Sequence, residues 1–359
     1  MSTFERRRSR AVRVGDRIIG GGAPITVQSM TNTDTHDFDA TYSQVMRLVE
    51  AGCEIVRITA PDLKSVATFE RLISRGVGVP LVADIHFNHE IAIACAKSGV
   101  NKIRINPGNV GSDDKVQSVA RACLDNHVPI RIGVNSGSLE KSILQKHGGP
   151  TPAALAESAL YHASLLERYG FYDIVLSVKA SSVRGMIAAN RLLSSSTEYP
   201  IHLGVTEAGG GDSALVKSSV GIGTLLAEGV GDTLRVSLTD DPVAEISAAK
   251  QILRSLELDS DPFMDVVSCP TCGRTKIDLI SLCAEFKRRA AECGIDKLPI
   301  KVALMGCAVN GPGEAREADV GIAGGIGEGL IFKKGEILRK VPEGQLVDEL
   351  IREILENYK

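Results

Sequence analysis

The sequence predicts an α/β chain: a closed parallel (β/α)8 barrel of the TIM type, followed by a small α+β domain. Three observations carry this. From about residue 24 to residue 252, short β-branched runs alternate with amphipathic helical stretches, the pattern of parallel strands joined by helical crossovers. About eight such units occur, the number that closes a barrel. The alternation stops near Leu256, and the polar, proline-ended stretch Glu257-Leu-Asp-Ser-Asp-Pro262 reads as a linker. A doubly wound open sheet is the main competitor. No GxGxxG follows the first strand, which weakens a dinucleotide-binding version of it.

The expected barrel strands are residues 25–29, 55–59, 81–85, 102–106, 130–134, 173–178, 201–205 and 233–237, preceded by a short strand at 11–14. Helical patterns lie between them, for example at 40–50, 65–75, 154–169 and 244–256. Beyond the linker come a CxxC, a helix at 277–292, a strand at 301–305, a second cysteine loop and a last helix at about 345–357. Gly324-Gly-Ile-Gly-Glu-Gly329 reads as a turn in a hairpin-like stretch, because no strand-to-helix context supports a phosphate loop. The expected domains are 1–257, a substrate-binding barrel, and 264–359, a metal-binding module. Two domains suit 359 residues, since single cores stop growing at ~250–300 residues.

A net charge of −3 gives no global basic field, so no nucleic-acid partner is expected. No apolar run approaches the ~18–20 residues of a membrane helix. The basic start, Met1-Ser-Thr-Phe-Glu-Arg-Arg-Arg-Ser-Arg10, has no apolar stretch behind it and is not a secretory signal. A cytoplasmic protein is expected. Its eight cysteines then point to metal ligands and buried thiols over disulfides.

Barrel chemistry sits where strands end. Arg57, Asp84, His86, Arg104, Asn106, Arg131, Asn135, Lys179, Glu207, Arg235 and Ser237 fall at or near those ends. Five of them are strong cations, and unpaired buried cations are costly. Arginine forks match phosphate oxygens and a lysine adds a point charge, so the mouth is expected to take a phosphate or diphosphate. The competing reading pairs the cations with Asp84, Glu207 and Asp232. Glu207, beside Ala208-Gly-Gly-Gly211, reads equally as a general acid or base and as a partner of a cation. His86 reads as structural. Lys179 also admits a Schiff-base aldolase.

Cys269-Pro-Thr-Cys272 suits a zinc knuckle, a redox dithiol or an iron–sulfur site. Cys307 opens a second loop that contains Asn310-Gly-Pro-Gly-Glu314. A dithiol leaves Cys307 unexplained, and structural zinc favours Cys or His over Glu as the fourth ligand. An iron–sulfur cluster with three thiolates and Glu314 leaves one iron exchangeable. Cys53, Cys95, Cys123, Cys283 and Cys293 read as buried small hydrophobes, with Cys283 a reserve ligand. A phosphate-metabolite-binding barrel with a structural zinc module is the rival function.

Longer motifs then narrow the choice. Val27-Gln-Ser-Met-Thr-Asn-Thr33, Leu81-Val-Ala-Asp-Ile-His-Phe87, Arg104-Ile-Asn-Pro-Gly-Asn109, Arg131-Ile-Gly-Val-Asn135, Gly204-Val-Thr-Glu-Ala-Gly-Gly210 and Gly231-Asp-Thr-Leu-Arg-Val-Ser237 occur in order. With Cys269-Pro-Thr-Cys272 and Gly306-Cys-Ala-Val-Asn-Gly-Pro-Gly-Glu314, they resemble the two-domain bacterial 4-hydroxy-3-methylbut-2-enyl diphosphate synthases over nearly the whole chain. The resemblance implies an iron–sulfur oxidoreductase of the non-mevalonate isoprenoid pathway. It would open the ring of 2-C-methyl-D-erythritol 2,4-cyclodiphosphate with two electrons from flavodoxin or ferredoxin. It implies Cys269, Cys272, Cys307 and Glu314 as ligands of a 4Fe–4S cluster, and Arg57, Arg104, Arg131 and Lys179 on the diphosphate. Glu207 would act in proton delivery, with Asn135, Arg235, Ser237 and Asn310 lining the pocket. A homodimer is implied, each site formed between two chains.

Overall fold

The computed structural model describes residues 5–307 and 315–359. The chain divides into two compact units, Met1–Asp259 and Ser260–Lys359.

The first unit opens with an antiparallel hairpin, β1 (Val12–Val14) and β2 (Arg17–Ile19). Eight parallel strands follow: β3 (Thr26–Met30), β4 (Ile55–Thr59), β5 (Leu81–Asp84), β6 (Lys102–Ile105), β7 (Ile130–Asn135), β8 (Ile174–Lys179), β9 (His202–Leu203) and β10 (Thr233–Leu234). They pair in the order β8-β7-β6-β5-β4-β3-β10-β9. The Leu176–Ile201 bridge, with Leu176 N donating to Pro200 O at 2.9 Å, joins the two ends and makes a nearly closed barrel. The crossover helices begin at local signals. Asp37 caps Ala40 N before Phe38–Glu50. Thr151 precedes Pro152–Glu167, and Asp241 precedes Pro242–Ser255, each with proline in the first turn.

Strand period decides what the barrel holds. Residues paired in parallel register share a face. Arg57 pairs with Val82, Val82 with Lys102, Asp84 with Arg104, Arg104 with Arg131, and Asn135 with Lys179. The alternate residues, such as Val56, Ile58, Ile103, Ile132 and Leu176, form the apolar layer under the helices. An interior of this kind is usually filled by Val, Ile and Leu; here it is largely polar and charged. Its apolar part is a separate cluster in which Val12, Val14 and Ile19 of the hairpin pack on Ile55, Val82 and Val175. The expected strand at 11–14 is thus half of a hairpin that plugs one end. Expecting only one strand there missed β2, which is too short to show a period.

The second unit holds a five-stranded sheet, β11 (Asp265–Ser268), β12 (Lys301–Met305), β13 (Val320–Gly324), β14 (Glu328–Lys333) and β15 (Glu336–Pro342), in that order. The first three run parallel and the last two complete an antiparallel meander. Helices Leu279–Glu292 and Leu346–Asn357 bury Leu282, Phe286, Leu350 and Ile354 against Leu304 and Ile322. The Gly-rich segment is the tight turn between β13 and β14. No described helix is long and apolar enough to cross a membrane.

Candidate active site

The open end of the barrel contains a cavity of about 590 Å³. Arg57, Arg104, Arg131, Asn135, Lys179, Glu207, Arg235 and Ser237 all line it, with Asp84 and His86. Arg57, Asp84, Arg104, Arg131, Asn135 and Lys179 come from strands, whereas His86, Glu207, Arg235 and Ser237 follow strand ends, and β9 and β10 are shorter than the expected 201–205 and 233–237. Asn310 and Glu314 lie outside the described residues.

Cations and acceptors alternate around the wall. Arg104 Nη1 donates to Asp84 Oδ1 at 3.2 Å and Arg104 Nη2 to Gly133 O at 3.3 Å. Arg57 Nε lies 3.6 Å from Asp84 Oδ2. Arg57 also points Nε and Nη2 at Met30 Sδ, 3.1 and 2.9 Å away. Arg235 is held by Glu245 through two parallel bonds, at 2.9 and 2.8 Å. Burial pushes the Asp84 carboxyl up, but Arg57 and Arg104 outweigh it and hold it at about 2. Burial lowers Arg57 to about 10, with Asp84 opposing.

Two cations have no such support. Arg131 is 1% exposed, and its Nε and Nη2 have no hydrogen-bond partner among the described residues. Burial, then Arg57 and Arg104, push it well below the usual arginine range. Lys179 is buried and depressed in the same way, by burial first and then by Arg57 and Arg131. Neither forms an ion pair among the described residues. Arginine does not give up its proton in a protein, so Arg131 carries this cost until an anion arrives. Among the described residues, two buried positive charges thus stand uncompensated in the cavity wall.

The pairing expected from sequence holds in part. Asp84 serves two arginines. Asp232 does not face the mouth. It lies just before β10, where its side chain accepts from Ser9 Oγ and Ile201 N, both at 2.8 Å, and ion-pairs with Arg6 and Arg7 of the N-terminal segment. Glu207 is exposed, forms no ion pair among the described residues and has φ +55°. A left-handed backbone at a non-glycine residue is uncommon and marks a constrained position. Glu245 was missed by sequence reasoning. The available signal was an acid in the first turn of the helix after β10.

Glycine shapes the wall at two positions. A Cβ at Gly133 would run into the Arg104 guanidinium, and one at Gly204 would sit 2.7 Å from Lys179 Nζ. Gly133→Ala is therefore expected to leave the unfolding midpoint unchanged while displacing Arg104, lowering kcat/KM on the order of 10²-fold. Steady-state kinetics beside a thermal melt checks this, and unaltered kinetics would refute it.

Lys102 is fully buried on the inward face, and its Nζ has no partner among the described residues. Burial, then Arg131 and Arg57, push it well below the ordinary lysine range. Between that depressed value and the ordinary one of about 10.4, the unfolded chain binds more protons than the folded chain. The stability contribution of this site is full above the ordinary value and is lost as pH falls towards the depressed one. Lys102→Met is expected to stabilise the protein by roughly 1–3 kcal/mol, about a few degrees of midpoint. It should also flatten the rise in stability from neutral to alkaline pH. Calorimetry across that range is the check; a lower midpoint would contradict it.

In the second unit, Cys269 follows β11 and Cys307 follows β12, its parallel neighbour. Gly306 N donates to Cys269 Sγ at 3.2 Å, tying the two loops together. The exposed Cys272 thiol is pulled down by the Arg274 backbone N–H and side chain, which favours thiolate. All three are free thiols. Among the described residues no three ligating side chains converge closely enough to hold a metal ion. Cys53, Cys95 and Cys123 are buried, as expected. Cys283 is half-buried, and Cys293 is exposed at the end of its helix, where no core remains to cover it.

Fold and cavity together define a (β/α)8-barrel protein with a cation-lined mouth. The chain belongs to the GcpE family: the GcpE TIM-barrel domain matches residues 9–250, and the GcpE protein C-terminal domain matches residues 265–356. It is 54% identical over 349 residues to the 4-hydroxy-3-methylbut-2-en-1-yl diphosphate synthase (flavodoxin) of Clostridium perfringens, covering 97% of this chain and 99% of that one. The synthase of the same name from Caldanaerobacter subterraneus is also 54% identical, covering 97% of each. Among solved structures, N-acetylneuraminic acid synthetase from Leptospira borgpetersenii superposes with a TM-score of 0.51 at 12% identity, covering 80% of this chain and 99% of that chain. A truncated 3-deoxy-D-arabino-heptulosonate 7-phosphate synthase from Thermotoga maritima gives 0.51 at 14% identity, covering 70% and 95%. These two show the barrel fold alone.

Proposed function

We propose that this chain converts 2-C-methyl-D-erythritol 2,4-cyclodiphosphate to 4-hydroxy-3-methylbut-2-enyl diphosphate, taking two electrons from flavodoxin or ferredoxin. The reaction balances with two electrons and two protons in and one water out. Five cations around one cavity, four on strands and Arg235 just past a strand end, in a chain of this family, carry the reading. Arg131 and Lys179 would take the diphosphate oxygens that relieve their unpaired charge. Arg57, Arg104 and Arg235, already held by acceptors, would orient the same group. Asn135 and Ser237 would hydrogen-bond the rest of the substrate. Glu207, at the exposed rim, would deliver a proton to the hydroxyl oxygen that leaves as water.

Cys269, Cys272 and Cys307, with Glu314, would hold a 4Fe–4S cluster. The donor set fits: three free thiols from neighbouring loops, one already receiving an amide N–H, another biased towards thiolate. When bound, such a cluster would relay the donor's two electrons one at a time. The working unit would be a homodimer in which the cluster domain of one chain completes the barrel site of the other.

Anaerobic reconstitution, iron and sulfide analysis, and turnover of the cyclodiphosphate with reduced flavodoxin test this directly. Four irons per chain and product formation are expected. One zinc per chain, with no iron and no turnover, would replace this reading with a phosphate-binding barrel carrying a structural zinc module.

A further inference from the structure

Among the described residues, Glu245 is the one acid that grips a cavity arginine from outside the strands. It is 2% exposed and lies in the helix Pro242–Ser255, which follows β10. Both of its oxygens are fully used. Oε1 accepts from Arg235 Nη2 at 2.8 Å and Leu238 N at 3.2 Å. Oε2 accepts from Arg235 Nε at 2.9 Å and Ser29 Oγ at 2.8 Å. Four bonds thus fasten one carboxylate to β3, to the strand end carrying Arg235 and to the loop beyond it.

The geometry of this grip has a consequence. Glu245 occupies the Nε–Nη2 edge of the guanidinium, the side-on face of the fork. Nη1 is left over, and its contact among the described residues is the weak acceptor Met30 Sδ at 3.8 Å. Arg235 lines the cavity whereas Glu245 does not. Without the carboxylate, the guanidinium would have its rotamers back and would face Arg57, whose Nε and Nη2 share the same Met30 sulfur. Glu245 thus offsets repulsion between two cations that must stand on one wall.

We infer that Glu245 is a positioning residue: it aims Nη1 of Arg235 at the anionic ligand and touches neither ligand nor reacting atoms. The inference rests on the reading of the cavity as a diphosphate site. The strand ends carried the stronger signal, and an acid in a first helical turn, ten positions beyond Arg235, does not by itself announce a partner.

A double-mutant cycle tests it, with inorganic pyrophosphate as probe and isothermal titration calorimetry on the full chain. Glu245→Gln keeps the size but loses the charge and one acceptor. It is expected to weaken pyrophosphate by about 10- to 30-fold in the native background and by less than about 2-fold in an Arg235→Met background. In kinetics the loss should fall on KM more than kcat. An equal loss in both backgrounds means that Glu245 only supports the fold, and overturns the inference. No loss in the native background overturns it too. If the native chain fails to bind pyrophosphate at all, the diphosphate reading itself falls, a separate result. Should Glu245→Gln prove too unstable to purify, Arg235→Lys tests the same claim from the other end. A lysine keeps the charge but cannot take both carboxylate oxygens and still present an aimed donor, so a similar loss is expected. Native affinity in that variant would overturn the inference.

Discussion

Replacing Arg131 with methionine is expected to abolish tight binding of a diphosphate while leaving the barrel folded. Arg131 is the cavity cation with most to gain from a ligand. It is buried, two of its donors are unpartnered, and three neighbouring cations, Arg57, Arg104 and Arg235, lie close enough to depress it. Truncating one member of a buried, hydrogen-bonded charge pair costs about 2–5 kcal/mol of binding, roughly 30-fold to several thousandfold. The same change removes an unpaired charge from the empty protein, so the unfolding midpoint should stay level or rise. Titration calorimetry with inorganic pyrophosphate, beside a thermal melt, reads both. A variant that binds as tightly as the native chain would show that Arg131 serves another purpose. A variant that unfolds would show that its charge is paired in a way the described residues do not reveal.

Cys307→Ser should eliminate iron binding and turnover together. Cys307 is buried at the end of β12, one residue after the amide that donates to Cys269 Sγ. Serine keeps the shape, so the sheet and its two covering helices should be unaffected. What is lost is a soft thiolate, and hard oxygen is a poor substitute for sulfur on iron in a cluster. The expected result is a colourless protein with trace iron, native far-ultraviolet circular dichroism and product formation below detection. Pyrophosphate affinity at the barrel should survive, because the cavity residues described lie in the other unit. Native iron content in the variant would remove Cys307 from the ligand set.

Much of this arrangement was legible in the chain itself. The barrel strands were visible as β-branched runs because parallel strands covered by helices need apolar side chains on their outer face. The cavity cations were visible because a charged residue inside such a run breaks the pattern. Arg57, Arg104 and Arg131 were found that way. Lys102 shows the same break at the start of β6, but a strand's first residue reads as easily as a solvated end. It is fully buried and pairs in register with Val82, on which the hairpin packs, and that packing is not legible in strands as short as β1 and β2. The exposed Cys293 reversed its expectation because a helix end projects beyond the core that its preceding turns cover.

The sequence by itself determined the succession of strands and helices, the polar positions at strand ends and the thiols available to a metal. Each follows from local geometry: side chains alternate along a strand, and a loop begins where the strand stops. Only the tertiary structure decided which charges meet. Asp84 reaches Arg104, a residue 20 positions away, while Asp232 turns to Arg6, 226 positions away, and leaves the mouth altogether. Glu245 reaches Arg235 from a helix, and Arg131 and Lys179 remain without a counterion among the described residues. Coulomb attraction depends on distance through space and on the exclusion of water, and neither is written in the spacing along the chain.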